Sequence, residues 1–526
     1  MCGILAIFNA KGDIRTKLLN ASSKLRHRGP DASGIIVGEG YGIAHERLSI
    51  MDPASGAQPF ESDAGTILAV NGEIYNYKDF TFKTKTKSDC EVIMHLWDNN
   101  VRGKQLLDKL DGVYAFVIYN KHTQQCFVTR DKIGVVPLYY GYGYDGSMAF
   151  ASEMKALEGI VGTVQEFPPG QYYNGKFNAN TEQWKMPKDV QTPSTYIMYE
   201  QEISAKLYKA TGKRLMSDVE YGVLLSGGLD SSIIAALAQS QATERILKTF
   251  CIGLEGSEDI VYAKKMAAHI GSEHYSFNYT KEEGWDAIRD VIYHLETFDV
   301  TTIRAGTPLF LLARRIRAMG IKMVLSGEGA DEIFGGYLYF HNAPNREEFY
   351  DETVRKLTNI YKYDCRRANK ALAAFGVECR VPFLDDEFLQ YVMKEMDPSA
   401  KMPQEGYEKW ILRSAFDEIL PPGIAWRRKE QFSDGVGHGW IDFLKEQTKK
   451  ECDHLMTRAK DFFPESTPKT SEAFYYRMVF DSWFKTPGAV GTVPYEDSCA
   501  CSTGTAAKWK GNDCKDPSGR SITLEV

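Results

Sequence analysis

The chain predicts two folded units of different class: an α+β half dominated by short strands, then an α/β half with a doubly wound parallel sheet and extra C-terminal helices. Three observations carry this. Short apolar or alternating runs fill 2–8, 34–37, 68–70, 114–119, 126–129 and 148–151. Helical periodicity at 199–211, 233–242, 263–270, 285–295 and 309–319 is interleaved with buried-strand runs at 221–225, 248–252 and 322–325. Beyond 349 the pattern is almost wholly helical to about 483, and a polar tail follows.

Taken in order, Cys2-Gly3-Ile4-Leu5-Ala6-Ile7-Phe8 suits a first strand, because branched and aromatic side chains pack on a pleated surface. Ser88-Asp89-Cys90-Glu91 before Val92, Ile93 and Leu96 has the form of a capping box, which predicts a helix with Asp89 in its first turn. Gly141-Tyr142-Gly143-Tyr144-Asp145-Gly146 is a turn. From 174 to 194 the chain turns polar, with Pro168, Pro169, Pro187 and Pro193 around the stretch, so a boundary belongs there. The predicted units are 2–185, 195–485 and a tail 486–526. Strands alternating with helices imply a parallel sheet whose carboxyl ends open on a ligand crevice. The short segment 239–246 is expected to be a mobile loop beside that crevice.

A chain of 526 residues can bury more than one core. Its net charge of −7 disfavours a grip on nucleic-acid phosphates, and no run approaches the roughly 18 apolar residues that span a bilayer. The apolar start lacks a basic leader, so it reads as a strand, and a cytoplasmic enzyme is expected. Ten cysteines lie scattered without repeated C-x-x-C pairs, which predicts reduced thiols. For Cys499, Cys501 and Cys514 in the polar tail, a metal or disulfide role is the weaker reading.

Cys2 directly follows Met1, so loss of one residue would put a thiol and a free α-amine on one carbon skeleton. Such an amine titrates near ~8 and can take the thiol proton itself. Arg26-His27-Arg28-Gly29-Pro30-Asp31 is a charged loop, Arg47 follows, and Val70-Asn71-Gly72-Glu73-Ile74 ends a strand with a glycine where backbone must come close. An amino acid with an amide side chain needs a cation for its carboxylate, an anion for its ammonium, and donors for the oxyanion formed on attack. Arg47, Glu73 with Asp89, and Asn71 with the Gly72 amide supply these. For His27, Arg28 and Asp31 a loop-stabilising cluster is at least as good a reading.

The second constellation is Leu224-Leu225-Ser226-Gly227-Gly228-Leu229-Asp230-Ser231-Ser232, a strand, a Gly-rich turn and a helix start. Small residues let backbone N–H groups converge on phosphate, and the helix adds its positive end. The run lacks the lysine of a Walker loop, and Asp230 suggests Mg²⁺ beside the phosphates. A further strand end, Leu325-Ser326-Gly327-Glu328-Gly329-Ala330-Asp331-Glu332, sets three acids close together, which favours a metal or a cationic substrate. On pattern alone Lys429 reads as surface.

The segments 1–4, 26–31, 45–50 and 71–76 resemble N-terminal-nucleophile, class II glutamine amidotransferase domains. Ser-Gly-Gly-Leu-Asp-Ser-Ser resembles the pyrophosphate loop of ATP pyrophosphatases. With Asp299-Val300-Thr301-Thr302-Ile303-Arg304, the run 326–337 and Arg380-Val381-Pro382-Phe383-Leu384-Asp385, the set is similar to the glutamine-hydrolysing asparagine synthetases from Cys2 to about Trp483. The resemblance implies an αββα sandwich followed by an ATP pyrophosphatase domain. It implies that Cys2 is the nucleophile, Arg47 the carboxylate partner, Asn71 and Gly72 the oxyanion hole, and Glu73 and Asp89 the ammonium partners. Pyrophosphate falls to Ser226, Gly227, Gly228, Leu229, Asp230, Ser231 and Ser232, adenine to Leu225 and Ile252, nucleotide contacts to Ser326 and Gly327, and Mg²⁺ to Asp230 and Asp331. Thr302, Arg304, Glu328, Glu332 and Lys429 shape the aspartate and acyl-adenylate site. The implied partners are glutamine, aspartate and ATP, with a homodimer left open. The intact Cys2 disfavours ring-closing relatives, and the 226–232 loop disfavours amidotransferases with phosphoribosyl partners.

Overall fold

The computed structural model describes residues 1–180, 184–187, 196–242, 245–427, 437, 439–494 and 506–511. Lys429, Cys499, Cys501, Cys514 and residues 181–183 and 188–194 of the polar connection therefore lie outside the described residues. No described helix is long and apolar enough to cross a membrane.

Period-two alternation builds the first half. In Gly3–Phe8 the side chains of Ile4, Ala6 and Phe8 enter one core, while Leu5 and Ile7 enter another beneath Ile14, Leu18 and Ala21 of the helix Ile14–Ser23. Thr66–Ile74 does the same on the other side: Ile67 and Ala69 share the first core, and Leu68 and Val70 pack under Val92, Ile93 and Leu96 of the helix Glu91–Asp98. The result is helix, sheet, sheet, helix, with both sheets six-stranded. One runs, in spatial order, Thr163–Glu166, Tyr139–Tyr142, Met148–Ala151, Gly3–Phe8, Tyr41–Arg47, Ala32–Gly38; the other runs Phe177–Ala179, Gln171–Tyr173, Cys126–Arg130, Gly112–Asn120, Thr66–Ile74, Phe60–Glu61. Each fully buried Ile or Leu contributes roughly 1.5–3 kcal/mol, so a one-residue register slip would be prohibitive.

The expected capping box does not form. The helix begins at Glu91 with Cys90 as its cap and no capping side chain. Asp89 precedes it, and its carboxylate accepts the Ile74 amide at 2.7 Å, while Glu91 accepts the Lys85 and Thr86 amides at 2.7 and 2.8 Å. The Ile74 amide at a strand end and the Lys85 and Thr86 loop amides take up both acids, so neither caps the helix.

The second half is a five-stranded parallel sheet in the order Glu273–Asn278, Lys248–Gly253, Tyr221–Leu224, Met323–Leu325, Glu378–Arg380. Two strands escaped the sequence. Glu273–Asn278 is polar and half-exposed, as suits an edge. Glu378–Arg380 is short and doubly charged, and it breaks the stretch expected to be wholly helical. Beyond it, Arg380 faces the first half of the chain. Of the expected 239–246 loop, residues 239–241 belong to the helix Leu229–Gln241 and 243–244 lie outside the described residues. Part of the tail is docked: Trp509 packs against Tyr339 and Phe340 and its indole N–H donates to Glu348 at 2.6 Å.

Candidate active sites

Cys2 stands at the head of the central strand of its sheet. Its Sγ accepts from the Leu48 amide at 3.4 Å, and its carbonyl accepts from Nε of Arg28 at 2.9 Å. Burial pushes the thiol up, opposed by the neighbouring terminal ammonium. Asn71 is fully buried; its Nδ2 points to Ser152 Oγ at 3.5 Å and its Oδ1 has no hydrogen-bond partner. At Gly72 a Cβ would lie 2.2 Å from the Val113 carbonyl oxygen, so only glycine fits where the two strands press together. Arg47 donates to the Met51 and Asp52 carbonyls at 3.1 and 2.6 Å, which folds the 51–52 loop around its guanidinium. Asp31 is a loop clamp, accepting the Ser49 amide at 2.8 Å and pairing with Lys322 at 2.8 Å.

Glu73 and Asp89 are brought together as expected, but with a cation that sequence reasoning did not foresee. Arg380, fully buried, lies 3.1 Å from Glu73 and 2.7 Å from Glu378. Glu378 in turn pairs with the Met1 ammonium at 2.7 Å. Burial raises Glu73, against which Arg380 works, and burial raises Asp89 to about 6. Glu378 goes the other way: despite burial, the terminal ammonium and Arg380 hold it at about 2. The edge of the parallel sheet thus supplies an ion-pair chain to the start of the polypeptide.

The second cleft opens at the carboxyl ends of the parallel strands. Its lining includes Leu225, Ser226, Gly228, Leu229, Asp230, Ser231, Ile252, Thr302, Ser326, Gly327, Glu328, Asp331 and Glu332. The sequence scatters these groups over strand ends and helix starts, and the fold gathers them around one cleft. Gly228 caps the helix Leu229–Gln241; Ser226 and Ser231 hydroxyls stand 3.1 Å apart, and the Gly228 amide donates to Ser226 Oγ at 3.3 Å. Gly227 and Ser232 do not line the cleft. Gly227 has φ +75°, and a Cβ there would meet the Ala263 amide nitrogen at 2.4 Å; Ser232 is fully buried on the helix's inner face.

Asp299 caps the helix Val300–Ala318 by accepting the Thr302 amide at 2.8 Å, which turns Thr302 toward the cleft. Arg304, expected at the aspartate site, lies two residues on, about 200° around the helix; it makes a bidentate pair with Glu472 at 2.8 and 2.6 Å and is not among the lining residues of the cleft.

Lys409 was missed. Its buried Nζ lies 2.7 Å from both oxygens of Asp230 and 2.7 Å from Asp331, the two residues assigned to Mg²⁺. The residue adopts φ +55°, a left-handed conformation that a lysine holds only when its surroundings fix it. Nothing in Tyr407-Glu408-Lys409-Trp410 signals this. Arg367 was missed too: it donates to both oxygens of Glu328 at 3.0 and 2.9 Å and pairs with Asp364 at 2.7 Å. Burial still raises Glu328 overall. Burial, with Asp364 and Asp331 close by, raises Glu332 to about 8, and the Tyr337 hydroxyl donates to it. Among the described residues no cluster of three or more His, Cys, Asp or Glu forms a metal cage. Two carboxylates already closed on an ammonium do suit a hard cation that is held mainly by phosphate oxygens.

Comparison with known proteins covers both halves. The glutamine amidotransferase domain family matches residues 1–185, and the asparagine synthase family matches 202–352 and 342–492. The asparagine synthetase [glutamine-hydrolyzing] of Brassica oleracea is 48% identical over 551 residues, covering 99% of this chain and 93% of that protein. Asparagine synthetase [glutamine-hydrolyzing] 2 of Arabidopsis thaliana is 48% identical, with 99% and 94% covered, and the Asparagus officinalis enzyme is 47% identical, with 99% and 92% covered.

Proposed function

Because this chain belongs to the glutamine-hydrolysing asparagine synthetases, we propose that it makes asparagine, glutamate, AMP and diphosphate from aspartate, glutamine and ATP at the two sites described above. In this reading residues 2–185 form the glutaminase unit, 195–485 the synthetase unit and 486–526 a tail. The observation that supports it most is the acid shelf of Glu328, Asp331 and Glu332 facing the Ser226–Ser231 turn across one cleft. That pairing suits ATP beside a carboxylate substrate.

With Met1 removed, the Cys2 α-amine takes the thiol proton and the thiolate attacks the glutamine side-chain carbonyl. Asn71 Nδ2 and the Gly72 amide hold the oxyanion, Arg47 the substrate carboxylate, and Glu73 and Asp89 its ammonium. Ammonia leaves as the thioester forms, and water then releases glutamate. In the other cleft the aspartate β-carboxylate attacks the α-phosphorus of ATP, giving β-aspartyl-AMP and diphosphate. The turn at 226–231 and the helix terminus cradle the phosphates, while Leu225 and Ile252 flank the base. Lys409 balances the charge between Asp230 and Asp331, which would hold Mg²⁺; the ion when bound neutralises the leaving diphosphate. Arg367 keeps Glu328 oriented. Glu332, raised to about 8 by burial and its acidic neighbours, carries its proton at neutral pH and can donate a hydrogen bond to the acyl-adenylate. Lys429 and Thr302 complete the acyl-adenylate site, whereas Arg304 acts from outside it.

The test is purified protein with aspartate, MgATP and amide-labelled glutamine: label should enter asparagine while AMP accumulates. Cys2→Ala should end glutamine use and leave synthesis from ammonium intact. Loss of both activities together would contradict two separate sites.

A further inference from the structure

We propose that Asn369, in the synthetase half, is a positioning residue for Cys2, acting through Arg28; the proposal rests on reading Cys2 as the glutaminase nucleophile. Asn369 is 2% exposed and Arg28 fully buried. The Asn369 Oδ1 accepts from Arg28 Nη2 at 2.9 Å, and its Nδ2 donates to the Val135 carbonyl at 3.0 Å. Arg28 spends its other donors on the Cys2 carbonyl through Nε at 2.9 Å and on Glu153 through Nη1 at 2.7 Å.

A guanidinium is planar and its donors have a fixed fork geometry, so three separate partners fix both its position and its plane. Two of the three, Cys2 and Glu153, belong to the first half of the chain. The third comes from the helix Asp364–Ala373 of the second. Once Met1 is gone, Cys2 is attached by one peptide bond only, and its carbonyl is the polar group nearest the reacting thiol and amine on that side. What holds the carbonyl therefore sets where Sγ and the α-amine point. Without the Oδ1 acceptor the guanidinium can pivot about Glu153, and the carbonyl follows. A misplacement of about 1 Å at a reacting group costs on the order of 100-fold in rate.

The same helix carries Arg367, which holds Glu328 in the other cleft. Arg367 and Asn369 are two positions apart, about 200° of helix rotation, so they face opposite sides. A change at Asn369 can then reach Cys2 without touching the acyl-adenylate site. This distinguishes positioning from general support of the domain contact.

The experiment compares Asn369→Leu, which keeps the shape and removes both polar atoms, with Asn369→Asp, which keeps the acceptor. In the full-length protein N369L should lower kcat for glutamine hydrolysis by about 10-fold or more, leave KM for glutamine nearly unchanged, and leave ammonium-dependent synthesis at the wild-type rate. N369D should restore glutamine hydrolysis. A wild-type kcat in N369L, equal losses in N369L and N369D, or parallel losses of both activities would each overturn the proposal. If N369L does not fold, Asn369→Ala takes its place with the same expected and refuting results. Cys2→Ala run alongside separates the two claims: continued hydrolysis there sinks the nucleophile, whereas an inert C2A with a normal N369L sinks only the role of Asn369.

Discussion

Replacing Arg380 by Met tests whether the parallel sheet's edge strand serves the glutaminase site. The side chain is fully buried, and besides its ion pairs with Glu73 and Glu378 it donates to the Arg214 carbonyl at 3.1 Å and to the Met216 carbonyl. Removing one partner of a buried ion pair costs roughly 3–5 kcal/mol of stability, so R380M should unfold at a lower temperature yet remain foldable in a chain this size. The informative effect is on Glu73. Burial already raises its carboxyl, with Arg380 as the chief opposing influence and Glu378 and Asp89 adding to the rise. Without the guanidinium the carboxyl is raised further and offers the substrate ammonium less charge. A hydrogen bond to a charged group is worth about 1.5–3 kcal/mol, so kcat/KM for glutamine should fall roughly 10- to 150-fold at pH 7. Because the group is raised further, activity recovers as pH increases: the acid limb of the profile moves to higher pH. Ammonium-dependent synthesis should hold, since the contact from this residue to the other cleft is its backbone carbonyl accepting the Ser326 amide at 2.9 Å. Glutamate release measured from pH 6 to 9 decides it. An unmoved acid limb in a folded R380M protein, or an equal fall with ammonium as donor, refutes the reasoning.

Glu332→Gln should stabilise the protein in alkali. A carboxyl raised to about 8 in the fold contributes stability that is present below its ordinary value near 4.5 and lost as pH rises through 8. The difference in melting temperature between E332Q and wild type should therefore grow from pH 5 to pH 9, and a flat difference by differential scanning fluorimetry would disprove the assignment. Arg304→Met should cost roughly 3–5 kcal/mol through the unpaired Glu472 while leaving KM for aspartate unchanged in the folded protein. A raised KM at unchanged melting temperature would return Arg304 to the cleft.

How much of this was legible depended on what each residue answers to. Strands such as 2–8 and 148–151 were readable because both faces are buried and the side chains themselves state it. Glu378–Arg380 was not, because its place in the sheet is dictated by neighbours: Met323–Leu325 pairs with it along one side, and its charges are matched to Glu73 and the chain's first residue. A charged tripeptide carries no periodicity to read. The capping box failed for a related reason, since Ser88 to Glu91 satisfied the local rule while the Ile74 amide, fifteen residues back, and the nearby Lys85 amide had the stronger claim on the acids.

The sites divide the same way. The groups proposed to meet phosphate sit on turns whose small residues are required by backbone geometry, so the 226–231 and 326–332 runs are legible in the sequence. Groups that set charge are not. Lys409, Arg367 and Arg380 are cations whose meaning is the carboxylate each one meets; apart from near neighbours such as Glu378 and Asp364, those carboxylates come from 39 to 307 positions away. Arg304 shows the converse, since its position beside Thr302 in a motif suggested the cleft while the helix turn between them sets its guanidinium against Glu472. A motif locates an element, and the periodicity of that element then decides which of its residues can act. The resulting asymmetry is physical: backbone demands are local and visible in sequence, whereas charge compensation is global and appears only once the halves of the chain have met.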